Sequence, residues 1–552
     1  MTERWSTRRF ALGLTAVFAV GVALRGLSLW QSPLPFNPDG LYHVRNAQHA
    51  VASGSLPLGL IAVDDLGFGS FLAVVGLVTG QPPLRVAQPV VAVVGTVPAV
   101  ATALLARRAS RRLGYGRSLS SVAGLVAGVL LAVGGVYLYR SMPVDEQTLG
   151  LAVVPVALVG VAVALASDDR RWLAVAAPGL VLLPPLHNLE SVVTILSLLA
   201  VAALVVTRRR VRGRPGVALV LAVGFSLWYL GYTLGTARFT GAAVIQSDRV
   251  VTAPGLLVAW AVLGVAAAVA FPRLRTRTQR LVLVAPFCGL FVLVVANAFV
   301  PVFPGTSRTT AGVLPVLGLA IPVLAAAWAG PLVLRDGGNR LVLTALLAGP
   351  LVLVGFALTA ALTPVYVTTA IRTHWFLYVP VMALAGVSVA GLFRARLDRH
   401  RVLRVLVVVC LVGAVAISIP TAFGGLAVHT YKGVTTTGEF AASNFAVERV
   451  PDAWASDNHL VRITSYRTAG TTGQVPPVYD WFHGRNARPP DCPVLIRDSW
   501  STVGAQFFPR APETLARDRL ASFERTGHKV YAGGSVRDVS LVVPTGEAGG
   551  GC

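Results

Sequence analysis

Acidic residues are scarce in this chain. Its 552 residues hold 24 Asp and Glu against 47 Lys and Arg, only 13% of positions are charged, and Lys432 and Lys529 are its sole lysines. It also has only four cysteines. Cys288 and Cys410 fall inside apolar runs and read as inert packing residues, while Cys492 and Cys552 lie in the tail, where they can pair if it faces an oxidising exterior. A phosphate-binding Walker loop, a dinucleotide fingerprint, zinc-ligand spacing and a nucleophile elbow are all missing. This argues against ATPase, redox and hydrolase chemistry. What the chain has instead is apolar surface: 55% of its residues are hydrophobic, as in a polytopic membrane protein.

The net charge of +23 invites a nucleic-acid reading, which the placement of the charge refutes. From Lys432 onward 13 basic residues face 12 acids, a net of +1, so the excess sits in short loops between apolar runs, as topology control requires. The basic clusters are Thr2 to Arg9, Arg107 to Arg117, Asp168 to Arg171, Arg208 to Arg214, Arg273 to Arg280, Arg335 to Arg340 and Arg394 to Arg404. Placing all of them in the cytoplasm predicts thirteen spans, near 10–30, 88–106, 118–139, 149–166, 172–188, 191–207, 216–235, 253–271, 281–302, 311–334, 341–362, 374–393 and 405–427. The N-terminus is then inside and the tail outside a cell membrane. The first span is read as retained, because Ser32-Pro33-Leu34-Pro35 follows it in place of a cleavage site. Leu66 to Gly80, fifteen residues, is read as an interfacial or re-entrant part of the first external loop.

This topology gathers the rare polar residues on one face. Phe36-Asn37-Pro38-Asp39-Gly40-Leu41-Tyr42-His43-Val44-Arg45 follows the first span, and Pro38 and Gly40 suggest a turn presenting Asp39, then a helix bearing Tyr42, His43 and Arg45. Tyr139 to Glu146 forms the second external loop, His187 to Glu190 the third, Phe303 to Arg308 the fifth, and Ile371 to His374 ends the sixth. Moving a sugar from a lipid phosphate needs a base for the acceptor proton and cations for the departing phosphate. Asp39 is the candidate catalytic base; Arg308, Arg372 and His374 are the candidate phosphate ligands. Asp145 and Glu146 can bind a metal, position the acceptor or cap the following helix. His43, His187 and Glu190 are placed beside them, His187 and Glu190 either in the same cavity or in an interhelical hydrogen bond. No cofactor is expected; if a divalent cation such as Mg or Mn is used, Asp39, Asp145 and Glu146 are its expected ligands.

The strings N-P-D-G-L-Y-H-V-R, Y-R-S-M-P-V-D-E and R-T-H-W-F-L-Y-V-P-V-M-A-L-A-G resemble the GT-C superfamily of membrane glycosyltransferases, nearest the archaeal oligosaccharyltransferase-like group and the dolichyl-phosphate-mannose mannosyltransferases. The resemblance implies an all-α polytopic membrane domain over 1–428, with its catalytic acid in external loop 31–87, and a small external α/β domain over 429–552. It places the family's first-loop aspartate at Asp39 and its second acidic motif at Asp145 and Glu146. It further implies lipid-linked sugar donors such as dolichyl phosphate sugars, a glycan or glycoprotein acceptor and membrane lipids as partners, and, for lipid-monophosphate donors, work without metal. The acceptor motif Trp-Trp-Asp-Tyr-Gly of oligosaccharyltransferases is missing; the nearest string is Val478-Tyr479-Asp480-Trp481-Phe482. Transfer of one mannose in protein N-glycosylation is therefore expected over transfer of a whole glycan. The rival from another class is a polyprenyl-lipid flippase or transporter, which would carry its ionisable groups at mid-membrane. In the tail, Glu439 to Phe445 reads as a helix, Trp454 to Asp457 and Val461 to Ile463 as strands, and His528 to Val543 as a hairpin about Gly533-Gly534.

Overall fold

The computed structural model describes residues 2–552 apart from 59–64, 168, 208–213, 241–251, 303–307, 310–319, 395–400, 429–430, 451–452, 469–472, 486–487, 509, 534–537 and 546–551. The chain begins with α1 (Thr2–Arg25) and α2 (Gly40–Ser53), followed by α3 (Leu66–Thr79), α4 (Pro83–Val94) and α5 (Val97–Arg112). Next come α6 (Arg117–Val133), the short α7 (Gly135–Arg140), α8 (Glu146–Ser167), α9 (Arg171–Leu186) and α10 (Asn188–Thr207). Further helices run over Pro215–Thr240, Pro254–Ala270, Thr276–Phe299, Ala320–Val333, Gly337–Ala360, Pro364–His374, Tyr378–Arg394 and Arg401–Thr421.

Every expected span meets a helix. Among the described residues nine helical stretches are long and apolar enough to cross a membrane, since about 20 apolar residues match the hydrocarbon thickness. Shorter apolar helices at Arg117–Val133, Arg171–Leu186, Ile321–Val333 and Val408–Thr421 occupy the other expected positions. This is a multi-pass membrane protein. Leu66–Thr79 is a 14-residue helix that Gly80 ends in the left-handed region at φ 65°.

Two boundaries differ from expectation. α1 stops at Arg25 and a 3₁₀ turn covers Leu27–Trp30. The third span breaks before residue 139: Gly134 turns extended, and a Cβ on Gly135 would overlap the Ser418 carbonyl, so α7 can pack against that later helix only with glycine there.

The bundle centre is built from α8, α10, Gly337–Ala360 and Pro364–Arg394, each with more than 70% of its apolar window buried, while Pro254–Arg273 has none and faces outward. Small residues permit the close contacts. A Cβ on Gly349 would strike the Val193 carbonyl, and one on Gly386 the Ala123 carbonyl. At one end of the bundle the basic clusters meet: Arg112 pairs with Asp336 at 3.2 Å, and Arg394 donates to the Leu113 carbonyl. The acid-bearing loops lie at the other end.

The tail carries a five-stranded sheet of order β2-β1-β3-β5-β4, with β1 Trp454–Ala455, β2 Gly473–Gln474, β3 Val494–Arg497, β4 Gly527–Gly533 and β5 Val539–Pro544. The last two form the expected antiparallel hairpin, whose Gly534 lies outside the described residues. A helix at Thr437–Arg449, started by a Thr436/Glu439 capping box, contains the expected helical stretch. Val461 to Ile463 is helical rather than a strand: the Asp457 carboxylate accepts the Leu460 N–H at 3.1 Å and caps the helix Asn458–Ile463, and such a local cap outweighs the β preference of Val and Ile. Cys492 and Cys552 form a disulfide. Cys288 is exposed on the outer surface of its helix, so it is not a packing residue.

Candidate active site

The site is assembled from two loops that the sequence separates by about a hundred residues. The Val144 N–H donates to the Phe36 carbonyl at 3.1 Å, and Gly40 lies so close that a Cβ there would sit 2.8 Å from the Val144 side chain. Gly40 therefore serves close approach. The turn itself is made by Asn37, the one non-glycine with positive φ (89°) among the described residues. Its Oδ1 accepts the Asp39 N–H at 3.1 Å, an Asx turn that begins α2. Buried Gln88 on α4 ties the parts together: its Oε1 accepts the Phe36 N–H at 2.7 Å and its Nε2 donates to the Met142 carbonyl at 3.0 Å.

Arg25, the lone charge of the first span, is wholly buried beneath these loops. Its guanidinium donates to Ser141 Oγ at 3.0 and 2.7 Å and to the Gly21 and Ala132 carbonyls. Carbonyl and hydroxyl oxygens thus receive its donors in place of water. Arg25 holds the second loop at the end of α1.

Asp39 is half-exposed, and both of its carboxylate oxygens accept from Arg462 Nη1, at 2.9 and 2.8 Å. One helical turn on, His43 points into the protein. Its Nε2 lies 3.1 Å from Glu146 Oε2, and its ring packs edge-on against Phe68. His187, at the end of α9, reaches the other Glu146 oxygen at 3.4 Å, and its Nδ1 pairs with Glu190. The result is a buried row, His43–Glu146–His187–Glu190, spanning α2, α8, α9 and α10. Gly150 makes room for it, since a Cβ there would come 2.4 Å from Glu190 Cγ. His187 and Glu190 therefore make the interhelical bond, and His187 extends it to Glu146.

Asp145 pairs with Arg140 at 2.8 Å and accepts the Gln147 N–H at 2.7 Å, so it does cap the start of α8. Gln147 also accepts from Arg140 Nε at 2.7 Å and donates to the Arg372 carbonyl at 3.0 Å, joining the second loop to the sixth. The Arg372 charge acts on both Asp145 and Glu146. Burial works against a charged His43, but the Glu146 hydrogen bond and the nearby charges of Asp65, Glu146 and Asp145 outweigh it and hold the imidazole up to about 9.

The other two expected phosphate ligands have contacts of their own among the described residues. His374 turns its Nδ1 to the Ile371 carbonyl and packs tilted against Trp375, ring centres 4.1 Å apart. Arg308 is exposed next to Thr309, which is anchored on Asn297, and the hydroxyl-bearing residues 306, 307 and 310 around it lie outside the described residues. The three carboxylates named as conditional ligands for Mg or Mn do not form one set, because each faces its own cation or histidines. Among the described residues no group of three or more His, Cys, Asp or Glu side chains is placed to hold a metal ion.

Arg462, Arg140, Gln88 and Asp65 were missed in the sequence. Arg140 adjoins the acids in the loop motif and so had a signal. Arg462 is distant by more than four hundred residues and had none.

The sequence matches no protein-family model and no curated protein. Solved structures do match. The chain superposes on the archaeal oligosaccharyltransferase AglB from Archaeoglobus fulgidus, solved in complex with an inhibitory peptide and a dolichol-phosphate, with a TM-score of 0.51 at 11% identity, over 97% of this chain and 74% of that one. The Archaeoglobus fulgidus oligosaccharyltransferase in complex with Zn and sulfate gives 0.50 at 14% identity, over 89% and 68%. At such identity the likeness is one of fold: this chain shares the fold of those structures, a helical membrane part followed by a C-terminal unit.

Proposed function

We propose that this chain, with the GT-C fold as premise, is a glycosyltransferase that moves a single sugar, mannose first among candidates, from a dolichyl-phosphate donor to a glycan at the external membrane face. The observation carrying this reading is the convergence of both acidic loops and Arg372 at one end of a helix bundle of that fold. In the proposed reaction the acceptor oxygen bonds to the sugar's anomeric carbon as the bond from that carbon to the phosphate oxygen breaks. The phosphate leaves with the bonding electron pair, and the acceptor proton passes to Asp39. Arg372 offsets the charge growing on the phosphate, and the Asp145/Arg140 and His43–Glu146–His187 pairs fix the loops around the acceptor. An external site also fits a lipid-borne donor, since nucleotide sugars are absent there and no nucleotide-binding pattern exists in the chain.

A second reading, transfer of a whole lipid-linked glycan to protein, is favoured by the fold neighbours being oligosaccharyltransferases. The missing Trp-Trp-Asp-Tyr-Gly string weighs against it. Purified protein offered dolichyl-phosphate mannose with a glycan acceptor should release dolichyl phosphate and lengthen the glycan by one sugar. Surface glycoproteins of a deletion strain should carry glycans one sugar short while the donor accumulates. Loss of whole glycans would select the second reading, and no transfer from either donor would overturn both. Labelling of cysteines placed at Arg111 and Arg275 only from the cytoplasmic side, and at Lys432 only from outside, checks the orientation.

A further inference from the structure

We infer that the C-terminal unit is a working part of the reaction centre: its strap Tyr431–Lys432–Gly433 and its Arg462 hold the Asn37–Asp39 turn in its active shape. This rests on the reading of Asp39 as the base. The Asn37 N–H donates to the Gly433 carbonyl at 2.7 Å, and the Tyr431 hydroxyl donates to Asn37 Oδ1, the same oxygen that accepts the Asp39 N–H. The strap thus bonds both sides of a residue in left-handed backbone, a conformation that costs free energy and persists only when its surroundings fix it. Gly433 lies under the Phe36 ring, where a Cβ would come within 2.2 Å. From the other side Arg462 takes both Asp39 oxygens, its guanidinium 5.7 and 5.8 Å from the Tyr431 and Phe508 ring centres.

Strap and arginine share one anchor. Asp457 is fully buried; it caps the helix that bears Arg462, and it accepts from Arg497, Trp500 Nε1 at 3.2 Å and the Gln506 N–H at 3.0 Å. Gln506 Oε1 in turn accepts the Lys432 N–H at 2.9 Å. Leu41, the second residue of α2, is buried within the tail's own core. The tail therefore reaches the proposed base through one rigid node and by two routes, which a mere cover over the end of the bundle would not need.

The test uses the purified full-length protein, with dolichyl-phosphate mannose and a glycan acceptor as probes. Misplacing a reacting group by about 1 Å costs up to about a hundredfold in rate, so Arg462→Gln should lower kcat about tenfold or more and Tyr431→Phe about threefold, both with donor KM unchanged. Arg462→Lys should restore part of the loss. Amide exchange across 36–41 should speed up by about tenfold in Tyr431→Phe, as an opening equilibrium loosened by one hydrogen bond predicts. Because Tyr431→Phe removes only a hydroxyl, it reports even if the arginine variants fail to fold. Wild-type kcat with wild-type exchange would overturn the inference, as would an Arg462→Gln defect confined to donor KM, which would make Arg462 a phosphate ligand. If Asp39→Asn is dead while both tail variants are fully active, the inference alone fails. If Asp39→Asn is fully active, the base assignment fails first.

Discussion

Among the described residues, the two buried ionic networks of the tail and of the bundle end are built from different partners. In the tail, Glu439 meets Lys432, Arg497 at 3.2 Å and His459 at 3.3 Å, and Asp457 meets Arg497. At the bundle end, Glu146 sits between two histidines and Glu190 against one of them. The first set balances its carboxylates mainly with Arg497 and Lys432, and it holds a fold. The second depends on imidazoles, whose charge changes within reach of physiological pH, and it lines the proposed site. Asp39 lies between the two and is joined to the tail by an arginine.

The comparison can be broken or sharpened by four experiments. The largest effect is expected from Asp457→Ala, which leaves buried Arg497 with Glu439 as its one remaining carboxylate, a partner it already shares with Lys432 and His459, and removes a helix cap; breaking such a buried pair costs about 3–5 kcal/mol. Denaturation followed through the tail tryptophans should show this loss, and a neutral result would mean the tail network holds nothing.

Next in size is a pH dependence. The folded His43 imidazole titrates at about 9, above the roughly 6.5 of an unfolded histidine. Its contribution is therefore complete below about pH 6.5 and is lost as pH rises towards 9, a change of about 3 kcal/mol. His43→Gln should flatten that slope in thermal unfolding. In the tail, burial disfavours the charges of Glu439 and Asp457, but neighbouring cations outweigh it and hold both below the usual carboxylate range. Stability from these acids is present above about pH 4.5 and lost only at lower pH, so tail tryptophan fluorescence should stay constant from pH 7 to 9. A tail that melts in step with the bundle over that range would erase the distinction.

Asp39→Asn follows. Removing a general base costs about a hundredfold or more in rate, and donor binding and thermal stability should be retained; turnover at the unmutated rate would make the Asp39 loop structural. The smallest effect is expected from Gly150→Ala. The new methyl meets the Glu190 side chain and should cost about 1–3 kcal/mol by overpacking, whereas Gly224→Ala, with nothing within 4 Å, should be neutral or slightly stabilising. Equal effects at the two positions would deny that the histidine–glutamate row is tightly packed.

Much of this architecture was legible because membrane insertion is decided by local properties. Runs of about 20 apolar residues and the side on which arginines collect are readable from the chain alone, and each expected span meets a helix. Asp145 and His43 stood out in the sequence for a related reason: charged groups are costly near a bilayer, so those clustered at one end are candidates for a site. The tail was harder. Val461 to Ile463 looks extended by propensity, and only the neighbouring Asp457 cap makes it a helix. The pairing of Cys492 with Cys552 was left open because spacing does not reveal which side chains meet. The strained Asn37 was overlooked since nothing in Phe36-Asn37-Pro38 announces φ 89°, which is set by the Gly433 carbonyl and the Tyr431 hydroxyl.

The sequence by itself determined a multi-pass bundle with Asp39, Asp145, Glu146 and Glu190 at one end, because hydropathy and charge act residue by residue on insertion. Which acid faces which cation was decided only in the tertiary structure. Arg462 reaches Asp39, His43 and His187 enclose Glu146, and Arg25 is satisfied by the Ser141 hydroxyl and the Ala132 carbonyl. Each of these contacts depends on positions far apart in the chain, and a hydrogen bond forms only where packing brings donor and acceptor within about 3 Å.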